Sequence, residues 1–251
     1  MGSATISIFF HNYYGRHDEW IRFFTKNINI PFNLFYNIVE DSMYNLECDY
    51  GLTARLWDEG SGACLNRIIL RRSSNQGKDI GGKLVLLDAC LSLRLDSEYF
   101  IFLHDKKSPY KIQSGEWQKK LFRIIEPDFV EKALTLFRKN KKIGLIAGSD
   151  NIINEYDYAQ QSFISNNGAQ LERFQSEYSI EPGDYRYVAG TMFWARSLPL
   201  MEFFGRHPPL DIRKTLEKGN IMDETSGTAT HAWERLLSWL IIAQGYTLKE
   251  L

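Results

Sequence analysis

In the stretch FLHDKKSPY, residues 102–110, an apolar run gives out and His104, Asp105, Lys106, Lys107 and Ser108 follow in succession. Two ammonium groups side by side can neutralise a departing diphosphate, a task that a bound metal ion otherwise performs. The other reading is a solvated basic turn in which Asp105 pairs with Lys106 or Lys107 at little gain. A second group lies in DETSGTATHAWERL, where Asp223 and Glu224 precede a helical pattern. Within that pattern His231 and Glu234 fall on one face, followed by Arg235. Either acid suits a general base, with His231 lining the same pocket; the alternative is a satisfied surface cluster. H-x-x-E is too short to define a metal site, and no third ligand is spaced to complete one. A third group, NQGKDIGG, sets Asn75 and Asp79 among Gly77, Gly81 and Gly82. It matches neither a Walker loop nor G-x-G-x-x-G, and reads either as a turn with a helix cap or as a loop whose amides approach a ligand.

The elements that must carry these groups follow from periodicity. ATISIFF reads as a strand ending at His11, DEWIRFFTKNI as a helix, and PFNLFYNIV and NRIILRR as two further strands. SSNQGKDIGGKLVLLDACLSL reads as a polar, glycine-bearing turn followed by a helix with Leu84, Leu87 and Leu91 on one side, and EYFIFLHD as a strand, so the middle of the chain reads as β-α-β, the unit of a parallel sheet covered by helices. EWQKKLFRII and PDFVEKALTLFRKN are amphipathic helices, KIGLIAGSD and YRYVAGTMFWAR are strands, and GTATHAWERLLSWLIIAQG is a helix stopping at Gly245. In GTMFWAR, Met192 reads as core, while one of Phe193 or Trp194 is expected to face a cleft. The polar region 151–186 is expected to be a long loop or a helical insertion on the rim. In open α/β sheets ligands bind beyond the carboxyl ends of strands, near the place where strand order reverses. That rule selects HNYYGRHD with His11, SSNQGKDIGG and HDKKSP.

The chain has 251 residues, 44% of them hydrophobic, which suits one α/β domain with a substantial core. Lys+Arg 30 against Asp+Glu 31 leaves nearly no net charge, so the totals do not point to nucleic acid or to an anionic membrane surface. Cys48, Cys64 and Cys90 lack C-x-x-C spacing and argue against a disulfide framework; a reducing cytosol is the expectation. No apolar run reaches the roughly 18 residues of a membrane span, and MGSATISIFF does not have the pattern of a signal peptide.

The ordered series NQGKDIGGKL, FIFLHDKKSP with Trp117, IGLIAGSD, VAGTMFWAR and SGTATHAWERL resembles the rhamnan synthesis protein F family, bacterial glycosyltransferases of surface polysaccharide assembly. It spans roughly residues 5–246, and GTMFWAR followed by HAWERL is its most specific part. The resemblance implies a GT-A-like, mostly parallel sheet flanked by helices in a single domain, 1–251. Within it, 4–110 is the nucleotide-sugar-binding half and 111–251 the acceptor and catalytic half.

The implied reaction moves a sugar, rhamnose first and galactose or galactofuranose next, from a nucleoside diphosphate to a growing O-antigen, capsule or cell-wall glycan. Such acceptors are commonly lipid-linked, which places the reaction in the cytoplasm at the inner face of the membrane, with peripheral membrane association. In this reading Asp223 or Glu224 is the base, and Lys106 and Lys107, with Arg235, meet the diphosphate. Asn75 and Asp79 hold the nucleoside or donor sugar, His104 and Asp105 orient hydroxyls or a cation, and Trp194 forms an aromatic wall. The family's broader group carries an acid-x-acid motif at this strand end. Lys106 replaces the second acid, so Asp105 alone is left to hold Mg or Mn, and a site without metal is the alternative. A catalytically inert carbohydrate- or nucleotide-binding module of a longer synthase is the rival from another class, and a nucleotidyltransferase is the third reading.

Overall fold

The computed structural model describes residues 4–45, 57–58, 64–95, 97–105, 121–221 and 227–251. Strands β1 (Ile6–Asn12), β2 (Phe32–Val39) and β4 (Tyr99–His104) are buried along their whole length. This explains why they read as continuous apolar runs: a parallel sheet covered on both faces leaves no polar side. β3 (Leu65–Ser73) is the partly exposed edge, and its Arg67 and Arg72 are exposed, as edge strands commonly arrange to discourage further pairing.

The seven-stranded sheet runs β3-β2-β1-β4-β10-β5-β11, with β5 (Ile143–Ala147), β10 (Phe193–Arg196) and β11 (Thr247–Glu250) completing it. β10 alone is antiparallel, wedged between β4 and β5. The long helix α2, after α1 (His17–Asn27), spans Lys78–Leu93 and carries the chain from edge strand β3 across to β4. Strand order therefore reverses between β1 and β4. Alternate side chains feed two cores. Phe9, Phe35, Phe102 and Phe193 pack on one face with α2 and α7 (Ala229–Ile242), the latter preceded by α3 (Pro127–Lys139), α4 (Gly168–Tyr178), α5 (Ser197–Arg206) and α6 (Pro209–Lys214). Phe10, Leu34, Ile101 and Trp194 pack on the other face with α1 and α3.

Three expectations change. YRYVAGTMFWAR is two strands in different sheets: β9 (Arg186–Val188) pairs with β6 (Ile152–Asn154), and a turn at Gly190 and Thr191 leads into β10. Gly190 and Thr191 both have positive φ, 77° and 49°, which no continuous strand tolerates. Neither Phe193 nor Trp194 faces a cleft. Both are fully buried, one on each face of the sheet, and Trp194 Nε1 donates to Ile124 O at 2.8 Å, so Trp194 is no aromatic wall. β11 is an edge strand absent from the periodic reading, because TLKE buries only Leu248. The polar rim, 151–186, holds β6, a short hairpin of β7 (Tyr156–Asp157) and β8 (Ser162–Phe163), and α4. Among the described residues no helix is long and apolar enough to cross a membrane.

Candidate active site

Asp79 sits in the first turn of α2, beyond the carboxyl end of β4, and its Oδ2 gathers three partners. Lys83 Nζ donates at 3.0 Å, the Thr191 hydroxyl at 2.7 Å, and His104 Nδ1 lies at 3.3 Å. Lys83 is one turn along the same helix, fully buried, and also donates to Thr191 O at 2.9 Å and to the Thr191 hydroxyl. Burial works against charge on Asp79, but Lys83, His104 and Thr191 outweigh it and hold the carboxyl well below its ordinary range. Burial likewise lowers the Lys83 ammonium, against the pull of Asp79. Lys83 cannot touch a ligand; it fixes Asp79, whose side chain keeps 19% exposure. The three partners of Asp79 all fall on its Oδ2.

The turn that brings Thr191 in is fixed from the other side. Gly190 N donates to Glu234 Oε1 at 2.7 Å, and Arg235 ties Glu234 (2.8 Å) to Glu155 (3.0 Å). Arg235 is 7% exposed, and its guanidinium is engaged by the internal carboxylates of Glu155 and Glu234. His231, one turn earlier on α7, places Nε2 3.4 Å from Lys78 Nζ and Nδ1 2.6 Å from the Thr228 hydroxyl, which caps the helix. An ammonium can only donate, so Nε2 accepts from Lys78 and Nδ1 carries the proton toward Thr228. Lys78 itself holds a left-handed backbone, φ 53°, directly after Gly77 at φ 73°. Sparsely populated backbone of this kind is found at ligand clamps.

Asp105 plays a different part from the one its position suggested. It is 2% exposed, and its carboxylate accepts from Tyr13 N (2.7 Å), Tyr14 N (2.9 Å) and Asn12 Nδ2 (3.0 Å). It closes the loop after β1 onto the end of β4. Both of its oxygens accept from these N–H donors. Among the described residues, no group of three His, Cys, Asp or Glu side chains is arranged to hold a metal ion. Burial raises its carboxyl to about 7, opposed by the amides of Tyr13 and Tyr14.

His11 is buried beneath α2, in register with His104 on one side and Asn37 on the other, and its Nδ1 lies 3.1 Å from Asn37 Nδ2. Asn75 is buried too; its amide donates to Asn220 Oδ1 at 3.0 Å and its backbone N–H to Asp41. Gly77 N donates to Glu217 O at 2.8 Å, and the Glu217 carboxylate accepts from Ala229 N and Thr230 N at the start of α7. One segment thus joins the amino ends of α2 and α7. Lys106, Lys107, Ser108, Asp223 and Glu224 lie outside the described residues.

The fold brings together Asp79, His104, His231 and Glu234, and sets His11, Arg235 and Trp194 behind them. Sequence reasoning missed Lys83, Thr191 and Lys78. The signal for Lys83 was present: it is the lone cation in the apolar stretch of α2, four residues after Asp79. Thr191 gave none, because a strand reading hid its turn.

In a mostly parallel α/β sheet, a polar cluster at the reversal point lies where such folds bind their ligands. The model of the family described as rhamnan synthesis protein F matches residues 2–246, and the chain belongs to that family. At that level it is a glycosyltransferase of cell-surface polysaccharide synthesis. No curated protein matches the chain.

Proposed function

We propose that this chain transfers a single sugar, rhamnose before galactose or galactofuranose, from a nucleoside diphosphate to a growing surface glycan on a lipid-linked acceptor. The reaction belongs to the cytoplasmic face of the membrane. The observation that carries the reading is the clamped pair at the amino end of α2: Asp79, fixed by a buried Lys83, beside Lys78 against His231.

Asp79 Oδ1 accepts a hydroxyl of the donor, either ribose or sugar. Lys78, at the positive end of a 16-residue helix, faces the diphosphate, with Lys106 and Lys107 as further cations. The acceptor hydroxyl gives its proton to Asp223 or Glu224, which precede the α7 cap in the chain, and its oxygen attacks the anomeric carbon. The bond from that carbon to the diphosphate oxygen breaks with its electron pair, so charge grows on the diphosphate, which the lysines would neutralise. A single displacement of this kind inverts the anomeric centre. His231 is held in one tautomer by Lys78 and Thr228, and so presents a fixed ring to the same pocket.

The test is turnover of a panel of nucleoside-diphosphate rhamnose, galactose and galactofuranose donors, read as released nucleoside diphosphate. Lys78→Ala and Asp79→Asn are each expected to lower kcat/KM by about tenfold or more, the scale of one lost charge-assisted contact in a transition state. Wild-type rates in both variants would remove this end of α2 from the reaction. Pyrophosphate as the product would make the protein a nucleotidyltransferase, and donor binding without turnover would make it a binding module.

A further inference from the structure

A chain of stacked aromatic rings leads from the core to solvent on the rim, beside the candidate site but outside it. Trp239 of α7 is fully buried, and Phe163 and Tyr185 pack against it with ring centroids at 6.0 and 5.3 Å. Tyr156 stacks on Tyr185 at 4.6 Å with planes 22° apart, and Tyr158 meets Tyr156 edge-on at 5.2 Å while keeping 60% exposure. Tyr156 and Phe163 are cross-strand partners in the β7–β8 hairpin, so their rings share one face of it; Tyr158, two residues on from Tyr156, extends that face.

Tyr185, Tyr156 and Phe163 are partly exposed. They are held from beneath rather than covered, which makes the surface rigid as well as aromatic. Its border is polar: Gln160 and Gln161 in the hairpin turn are exposed, and Asp184 pairs with Arg186 at 2.7 Å. The base of the hairpin is anchored to the candidate site, since Glu155 between β6 and β7 pairs with Arg235. β9, the partner of β6, leads into the Gly190–Thr191 turn that touches Asp79.

We infer that this ladder is an acceptor subsite for a neutral glycan chain. Sugar rings offer a C–H face to an aromatic plane and hydroxyls at their edge, and 6-deoxy sugars add a methyl group. Rigid tyrosines supply amphipathic contact area at low entropic cost, with amides and carboxylates alongside for the hydroxyls. An anionic lipid surface is the poorer match, because Asp157 and Asp184 flank the rings and the hairpin carries no lysine or arginine. The inference rests on the glycosyltransferase reading for its substrate: a polymer that lengthens at the site must lie along the surface next to it.

The experiment titrates the whole chain with rhamno-, galacto- and gluco-oligosaccharides of graded length, followed by saturation-transfer NMR on the aromatic protons. Tyr158→Ala is the variant, with Tyr158→Trp as the rescue; at so exposed a position both are expected to fold, which circular dichroism checks. Affinity should rise with length in at least one series and fall about fivefold in Tyr158→Ala, the scale of one aromatic contact. It should return in Tyr158→Trp, while the thermal shift caused by a nucleotide sugar stays unchanged in both. Equal affinity in wild type and Tyr158→Ala overturns the subsite, as does the absence of length-dependent binding in every series. Loss of vesicle binding or of self-association in Tyr158→Ala, with glycan binding intact, overturns it as well. Glycan binding that survives when no nucleotide sugar binds would count against the proposed reaction and leave the subsite standing.

Discussion

Single side chains in this protein carry opposite electrostatic signs a few ångströms apart. Lys83 and Asp79 form a buried pair, and breaking one side leaves an uncompensated charge. Lys83→Met is expected to cost about 3–5 kcal/mol. Asp79→Asn/Lys83→Met together should cost less than Lys83→Met alone, and urea unfolding of the four proteins measures the coupling; simple additivity would mean that the two do not act as a pair. Asp79, depressed in the folded state, contributes stability above its unfolded value, and that contribution is lost only as acid pH reaches its folded value. Asp105 behaves the other way. Its carboxyl is raised from 3.8 to about 7, so across that window the folded protein keeps a proton that the unfolded chain releases. Stability therefore falls as pH rises through the window and levels off above it, with a ceiling on the order of 4 kcal/mol. Asp105→Asn cannot ionise and should flatten this slope; parallel wild-type and variant profiles between pH 4 and 7 would dismiss it. The sequence marked Asp105 as exceptional by its place at the end of an apolar strand. Its task was hidden, because the amides it receives belong to residues 13 and 14, more than ninety positions away in the chain.

At the level of elements, the glycines of KDIGG turn out to be packing devices. A Cβ on Gly82 would lie 1.8 Å from Nδ1 of His11, and one on Gly81 1.8 Å from the carbonyl oxygen of Gln76. α2 comes this close to β1 because Gly82 has no side chain, while Gly81 makes room for the carbonyl of the loop that enters the helix, and the close approach puts Asp79 and Lys83 over His104. Gly82→Ala should therefore destabilise by more than the usual overpacking cost of about 1–3 kcal/mol, since His11 is fully buried and its ring has nowhere to move. Combining it with His11→Ala should recover part of the loss in thermal unfolding, and no recovery would place the clash elsewhere. The sequence left these glycines open between a turn with a helix cap and a ligand loop. Periodicity located the helix and the strand, but the distance between them is a tertiary quantity that two glycines only hint at. β1, β2, β4, α2 and α7 were legible because their burial is uniform or regular. β11 and the β9–β10 turn were not, since one is a single-residue contact at an edge and the other depends on backbone that a Thr seldom adopts.

At the scale of the molecule, the segments 4–110 and 111–251 share one sheet, because β10 lies between β4 and β5. The candidate site draws on both: Asp79, Lys83 and His104 from the first, and Thr191, His231 and Glu234 from the second. A donor seated among them stabilises the folded chain as a unit by mass action, by about 2.7 kcal/mol at a hundred times Kd. For a chain of this size that corresponds to a rise in Tm of roughly 5–11 °C. The rise should appear as one transition that moves whole, since β10 of the second segment pairs with β4 of the first and both hydrophobic cores draw on the two segments. Scanning calorimetry with and without a nucleotide sugar distinguishes the cases. Two transitions, of which the ligand shifts only one, would mean that the donor is held by one segment alone, and Thr191 and His231 would then have no part in holding it.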